Sequence, residues 1–128
     1  MTFLVADREP SIRKLLRVVL TRACACDVIE AADGAEALAR AREVRPSLVI
    51  LDLAMPALSG LRVCRALKAD PITRNIPVWI LSDSTTSETV TKAATAGADG
   101  YFLKPPSFAT LEARVREHAA RASAVKTG

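Results

Sequence analysis

Apolar residues along this chain follow two rhythms that take turns. Short continuous runs occupy Phe3-Leu4-Val5-Ala6, Leu48-Val49-Ile50-Leu51, Val78-Trp79-Ile80-Leu81 and Tyr101-Phe102-Leu103, and longer stretches between them repeat an apolar residue every three or four positions. Runs of the first kind suit strands buried on both faces, and stretches of the second kind suit amphipathic helices. The pattern predicts five strands, near residues 3–6, 27–31, 48–52, 77–81 and 100–103, each followed by a helix. Such alternation marks repeated βαβ units, hence an α/β domain with a parallel sheet. The first, third and fourth strands are apolar nearly throughout and are expected at the centre of that sheet.

The helices differ in how firmly they should be held. The first begins at Pro10 and aligns Ile12, Leu15, Leu16, Val19 and Leu20, with Arg13, Lys14, Arg17 and Arg22 on its other face. The second, about 35–45, buries Leu38 and Ala41, with Val44 a further candidate, between Gly34 and Pro46. The third, about 61–69, stops before Asp70-Pro71, because the residue ahead of a proline is pushed out of the helical region. In the fourth, about 86–96 and closed by Gly97, Val90 and several alanines make a thin apolar stripe, so this element is expected to be among the least firmly held. The fifth, about 107–121, buries Leu111 and Val115 and turns Glu112, Arg114, Arg116 and Glu117 outward.

Length, composition and charge narrow the class without changing it. The 128 residues suit one domain, read as 1–122 with a tail or the start of a linker at 123–128. The longest apolar runs fall short of a membrane span and the first strand starts almost at Met1, so the expectation is a cytoplasmic protein with no membrane partner. Cys24, Cys26 and Cys64 are odd in number and lack the spacing of a zinc site, which favours reduced thiols. The formal charge of +4 is scattered over helices, an arrangement that argues for a solvated surface and against direct nucleic-acid binding. The five glycines form neither a dinucleotide fingerprint nor a P-loop.

Chemistry gathers at the carboxyl ends of the strands, where open α/β sheets bind ligands. Asp52 closes the third run ahead of Leu53-Ala54-Met55-Pro56; Asp7-Arg8-Glu9 follows the first, Ser82-Asp83 the fourth and Lys104-Pro105 the fifth. Taken singly, Ser82 would be a helix cap, Tyr101 a partly exposed strand aromatic and Lys104 a solvated charge. Their joint placement, over about Phe3 to Arg121, resembles the receiver domain of bacterial two-component response regulators. The resemblance implies a flavodoxin-like, doubly wound (βα)5 fold with strand order 2-1-3-4-5. It implies further that Asp52 accepts a phosphoryl group from a histidine kinase or phosphotransfer protein, Lys104 contacts the phosphate, and Ser82 and Tyr101 switch together. A downstream protein or fused effector domain would read the switch. Mg2+ would be held by Asp7, Asp52 and the Ala54 backbone carbonyl, and the peptide before Pro105 would be cis.

Two positions depart from the family. A second acid usually follows the first and is a direct Mg2+ ligand, but here Arg8 stands in that place, and Asp7, Arg8, Asp52 and Lys104 sum to zero formal charge. Mg2+ binding is therefore expected to be weakened, with Arg8 either paired to Asp52 as a block or contacting phosphoryl oxygens itself. Asp83 replaces a small residue, and two readings stand for it: a salt bridge to Arg8, or a solvent-facing loop acid. The leading expectation is a phosphoacceptor signalling module, not an enzyme beyond assisting its own phosphorylation and dephosphorylation. The alternative is a pseudo-receiver that binds proteins without phosphorylation. A hydrolase with an aspartyl nucleophile would carry a second acid two residues on, where this chain has Ala54.

Overall fold

A computed structural model describes residues 1–84, 86–104 and 106–127, with side chains through residue 122. The elements alternate as β1 (Thr2–Ala6), α1 (Pro10–Ala23), β2 (Asp27–Ala31), α2 (Gly34–Val44), β3 (Leu48–Asp52), α3 (Gly60–Ala69), β4 (Val78–Ser82), α4 (Ser87–Thr95), β5 (Gly100–Leu103) and α5 (Phe108–Thr127). The strands are parallel in the order β2-β1-β3-β4-β5, as expected, and the three central strands are those with the most continuous apolar runs. Register sets the site: Ala6 pairs with Leu51, Asp52 with Leu81, and Ser82 with Leu103, so residues 7, 52, 82 and 104 emerge along one edge.

Alternation within each strand divides the core in two. Phe3, Val5, Leu48, Ile50, Trp79 and Leu81 face α1 and α5. Leu4, Ala6, Val49, Leu51, Val78 and Ile80 face α2, α3 and α4. Each fully buried leucine or isoleucine contributes roughly 1.5–3 kcal/mol, so both layers are needed to close the sheet.

Three expectations about the helices change. Val44 is exposed, and the buried positions of α2 are Gly34, Ala37 and Ala41, with Leu38 packed at the core's edge. The small Ala37 lets α2 lie close to the sheet, a role that apolar size alone does not reveal. Arg13 and Arg17 do not form a free basic stripe, because both guanidinium groups bond Glu30 of β2. The expected tail from residue 123 continues α5 to Thr127, in keeping with the helix-forming Ala122-Ser123-Ala124 sequence. The thin stripe of α4 is as expected: Ala93 is its single buried residue, and Val90 is exposed. No described helix is long and apolar enough to cross a membrane, and the three cysteines are free.

Candidate functional site

Four strand ends deliver the site. β1 leads straight to Asp7, which is fully buried; its Oδ1 accepts the Glu9 amide at 2.9 Å, and its backbone carbonyl accepts Arg13 Nη1 at 2.7 Å. Asp52, at the end of β3, is 3% exposed, and its Oδ1 accepts the Ala54 amide at 3.2 Å. Lys104, just past β5, places its ammonium 2.6 Å from Asp7 Oδ2 and 3.1 Å from Asp52 Oδ1. It is a tethered charge, not a solvated one.

The contact to Asp7 is close but falls outside hydrogen-bond directionality. Asp7 Oδ2 and Asp52 Oδ2 are thus the two buried carboxylate oxygens that accept no hydrogen bond among the described residues. On the Asp52 Oδ2 side the Arg8 guanidinium approaches through Nε at 4.0 Å. Burial raises the Asp7 carboxyl pKa above its ordinary value, against the opposing pull of Lys104 and the Glu9 amide. Burial works against the charged form of Lys104 as well, yet the two carboxylates outweigh it and its pKa is raised.

Ser82 is buried at the end of β4 and its Oγ accepts the Ser84 amide at 3.1 Å. It is not the cap of α4; Thr86 is, accepting from the Thr89 amide at 3.3 Å. Tyr101 donates its hydroxyl to the Ser84 carbonyl at 2.5 Å, so Ser82 and Tyr101 hold the same residue by its two backbone groups. Arg8, Glu9, Ile12, Asp52, Leu53, Ala54, Ser82, Asp83 and Lys104 line one cleft of about 220 Å3. Of the two readings for Asp83, the solvent-facing acid holds, and an Arg8–Asp83 salt bridge is absent among the described residues. Asp83 is exposed on the cleft wall, and Arg8 reaches instead toward Asp52, where the buried anion sets the stronger field. The peptide before Pro105 lies outside the described residues.

Sequence reasoning missed the supports of this cluster. Arg13 clamps Asp7 from one turn into α1, a bond foreshadowed only by its register with Glu30. A Cβ on Gly60 would meet the Asp52 carbonyl oxygen at 2.3 Å, and one on Gly34 would meet the Leu58 carbonyl oxygen at 1.7 Å. The loop after Asp52 is pressed between the starts of α2 and α3, and only glycine permits that approach.

A buried acid pair bridged by a lysine, with a hydroxyl beside it, at the carboxyl edge of a 2-1-3-4-5 sheet defines a flavodoxin-like signalling class. The family model for the response regulator receiver domain matches residues 3–116, and the chain belongs to that family. It is 41% identical over 113 residues to the DNA-binding response regulator MtrA of Mycolicibacterium smegmatis, covering 88% of this chain and 48% of the relative. It is 38% identical over 124 residues to the transcriptional regulatory protein PrrA of Mycobacterium leprae, covering 97% and 52%. The chain thus spans about half the length of the curated relatives it matches. Among solved structures, the receiver domain of the Francisella response regulator 1452 superposes with a TM-score of 0.84 at 30% identity, covering 94% of this chain and 98% of that one.

Proposed function

We propose that Asp52 is the phosphoacceptor of this receiver domain, with a histidine kinase or phosphotransfer protein as donor. The observation that carries this reading is Asp52 Oδ2: buried and without a hydrogen bond, on a residue that lines a cleft whose walls include Lys104 and Ser82. A carboxylate held in this way is a competent nucleophile, and phosphoryl transfer asks little more of a protein than positioning and charge neutralisation. Lys104, already 3.1 Å from the other Asp52 oxygen, supplies a cation for the phosphoryl oxygens. The Ser82 hydroxyl accepts one hydrogen bond and donates none among the described residues, which leaves its proton for a phosphoryl oxygen.

If Ser82 turns toward the phosphoryl group, its hold on the Ser84 amide is lost, and the Tyr101 hydroxyl must find a new arrangement with the Ser84 carbonyl. A charge event at Asp52 would then be read on the surface made by α4, β5 and α5, beside the most weakly buried helix. A downstream protein, or an effector domain of the kind that the DNA-binding relatives carry outside the matched half, would be the reader.

Receiver domains generally bind Mg2+, and we read this site as a poor fit for it. Its buried acids are two, Asp7 and Asp52, both already within ion-pair distance of Lys104, and Arg8 stands where a further acid would complete a hard-oxygen set. No group of three or more His, Cys, Asp or Glu able to hold a metal occurs among the described residues. The Ala54 amide holds Asp52 Oδ1 at 3.2 Å. Nothing in the comparisons favours the pseudo-receiver alternative. The test is intact-protein mass after incubation with acetyl phosphate or a candidate kinase. A single phosphate adduct on the wild type, absent from Asp52→Asn, is expected; an adduct that survives in Asp52→Asn would move the acceptor elsewhere.

A further inference from the structure

We infer that the Arg8 guanidinium takes over the work of a divalent ion, so that this site binds and accepts a phosphoryl group without metal. The inference rests on the reading of Asp52 as phosphoacceptor and adds a cation requirement to it. Charge is the first ground. Exchanging an acid for an arginine changes the formal charge of the cluster by two units, the charge a bound Mg2+ would bring. The two buried acids, Asp7 and Asp52, are already matched in formal charge by Arg8 and Lys104, and the remaining acids of the cleft, Glu9 and Asp83, are exposed. A metal added to the cluster would face the Arg8 guanidinium across the same carboxylate.

Geometry is the second ground. Lys104 and Arg8 stand on opposite oxygens of Asp52, at 3.1 Å from Oδ1 and 4.0 Å from Oδ2. A bond formed at Oδ2 therefore brings the phosphoryl oxygens to the Arg8 side of the cleft. A guanidinium offers paired N–H donors that match two such oxygens, remains charged at every working pH, and stands at the end of a long side chain. Half of the Arg8 side chain is exposed, so it is free to close over an arriving anion. The cleft of about 220 Å3 exceeds several times the roughly 30 Å3 that one water occupies, enough for a phosphoryl group beside its ligands.

The same distances argue against Arg8 as a permanent lock. A locking arginine would meet the carboxylate in a bidentate pair at about 2.7–2.9 Å. Here the approach is 4.0 Å, through Nε, and Asp52 Oδ2 accepts no hydrogen bond. With acetyl phosphate as donor, Asp52 Oδ2 forms a bond to phosphorus, the bond from phosphorus to the bridging oxygen breaks, and acetate leaves with the electron pair. The step needs no proton and no further reactant.

The experiment follows the adduct mass over time with acetyl phosphate, in chelator and in Mg2+, for wild type, Arg8→Asp, Arg8→Gln and Asp52→Asn. Calorimetric titration with Mg2+ and thermal melting are run on each. The wild-type rate should differ by less than about twofold between chelator and Mg2+, and Arg8→Gln should lose on the order of a hundredfold in chelator, the effect of removing one preorganised charge donor. Arg8→Asp should bind Mg2+ by calorimetry and form adduct only in its presence. A wild-type adduct that requires Mg2+ overturns the inference and leaves Asp52 as acceptor. No wild-type adduct while Arg8→Asp is labelled makes Arg8 a lock and overturns the inference. No adduct on any folded variant, in either condition, overturns the phosphoacceptor reading itself.

Discussion

The two halves of the site edge are built to different tolerances. On the β1 and β3 side, α1 seats Leu16, Val19 and Leu20 in the core, Arg13 clamps the Asp7 carbonyl, and the loop after Asp52 is pressed against Gly60 and Gly34. On the β4 and β5 side, α4 buries Ala93 alone, and its approach is held by hydroxyls: Ser82 and Tyr101 on Ser84, and Thr86 with Thr89 at 2.7 Å. Apolar contacts fix position, whereas hydroxyl hydrogen bonds can be exchanged at nearly equal energy. The carboxylates therefore sit on a rigid floor, and the wall beside them is the part that can answer a change in charge.

The most damaging way to probe this contrast is to truncate the main apolar side chain of the helix on each side, the buried Leu16 of α1 and the exposed Val90 of α4. Leu16→Ala should cost about 2–5 kcal/mol in urea unfolding, and Val90→Ala under about 1 kcal/mol; equal losses would break the comparison. Next in size, Gly60→Ala should cost about 1–3 kcal/mol, because the new methyl group meets the Asp52 carbonyl; a neutral result would mean that the loop is not pressed as described.

Asp7→Asn should act in the opposite direction and stabilise the fold, on the order of 1 kcal/mol near neutral pH, since it removes a buried anion while Lys104 keeps Asp52. The sign follows from linkage. A carboxyl whose folded pKa is raised above 3.8 holds its proton more firmly in the folded state, so its contribution to stability grows as pH falls toward 3.8. Denaturation curves of wild type and Asp7→Asn across that window should converge on the acid side; convergence at neutral pH instead would refute the sign. Smallest, Tyr101→Phe should cost about 1 kcal/mol and speed amide exchange in residues 82–84 without changing exchange in β1, which would sharpen the division.

Much of this arrangement was legible in the sequence, and the reasons for the gaps are physical. Continuous runs such as Val78-Trp79-Ile80-Leu81 can be buried on both faces in few other ways, so the strands, and which three of them are central, followed from them, while their order followed from the resemblance. The spacing of Asp7, Asp52, Ser82 and Lys104 after those runs then brought the cluster to one edge. Side-chain partners were less legible, because reach and field decide them. Arg13 looked outward on a helical wheel yet turns back to Glu30 and Asp7, and Arg8 prefers the buried Asp52 to the exposed Asp83. Ala37 and the pressed glycines escaped notice because what matters there is the absence of bulk.

The far end of β4 carries a practical consequence. Trp79, the one tryptophan of the chain, lies on the α5 face among Phe102, His118 and Arg114, at centroid separations of 5.3 Å, 6.2 Å and 5.7 Å. Ser82 is three strand residues away, about 10 Å. Intrinsic fluorescence of this chain is therefore a gauge of α5 docking and of the charge on its neighbours, and it answers a reaction at the carboxylate edge only as far as β5 or α5 moves with it. A flat emission titration says nothing about occupancy at Asp52, so spectroscopic work on this chain needs a dye or a second indole placed beside the cleft.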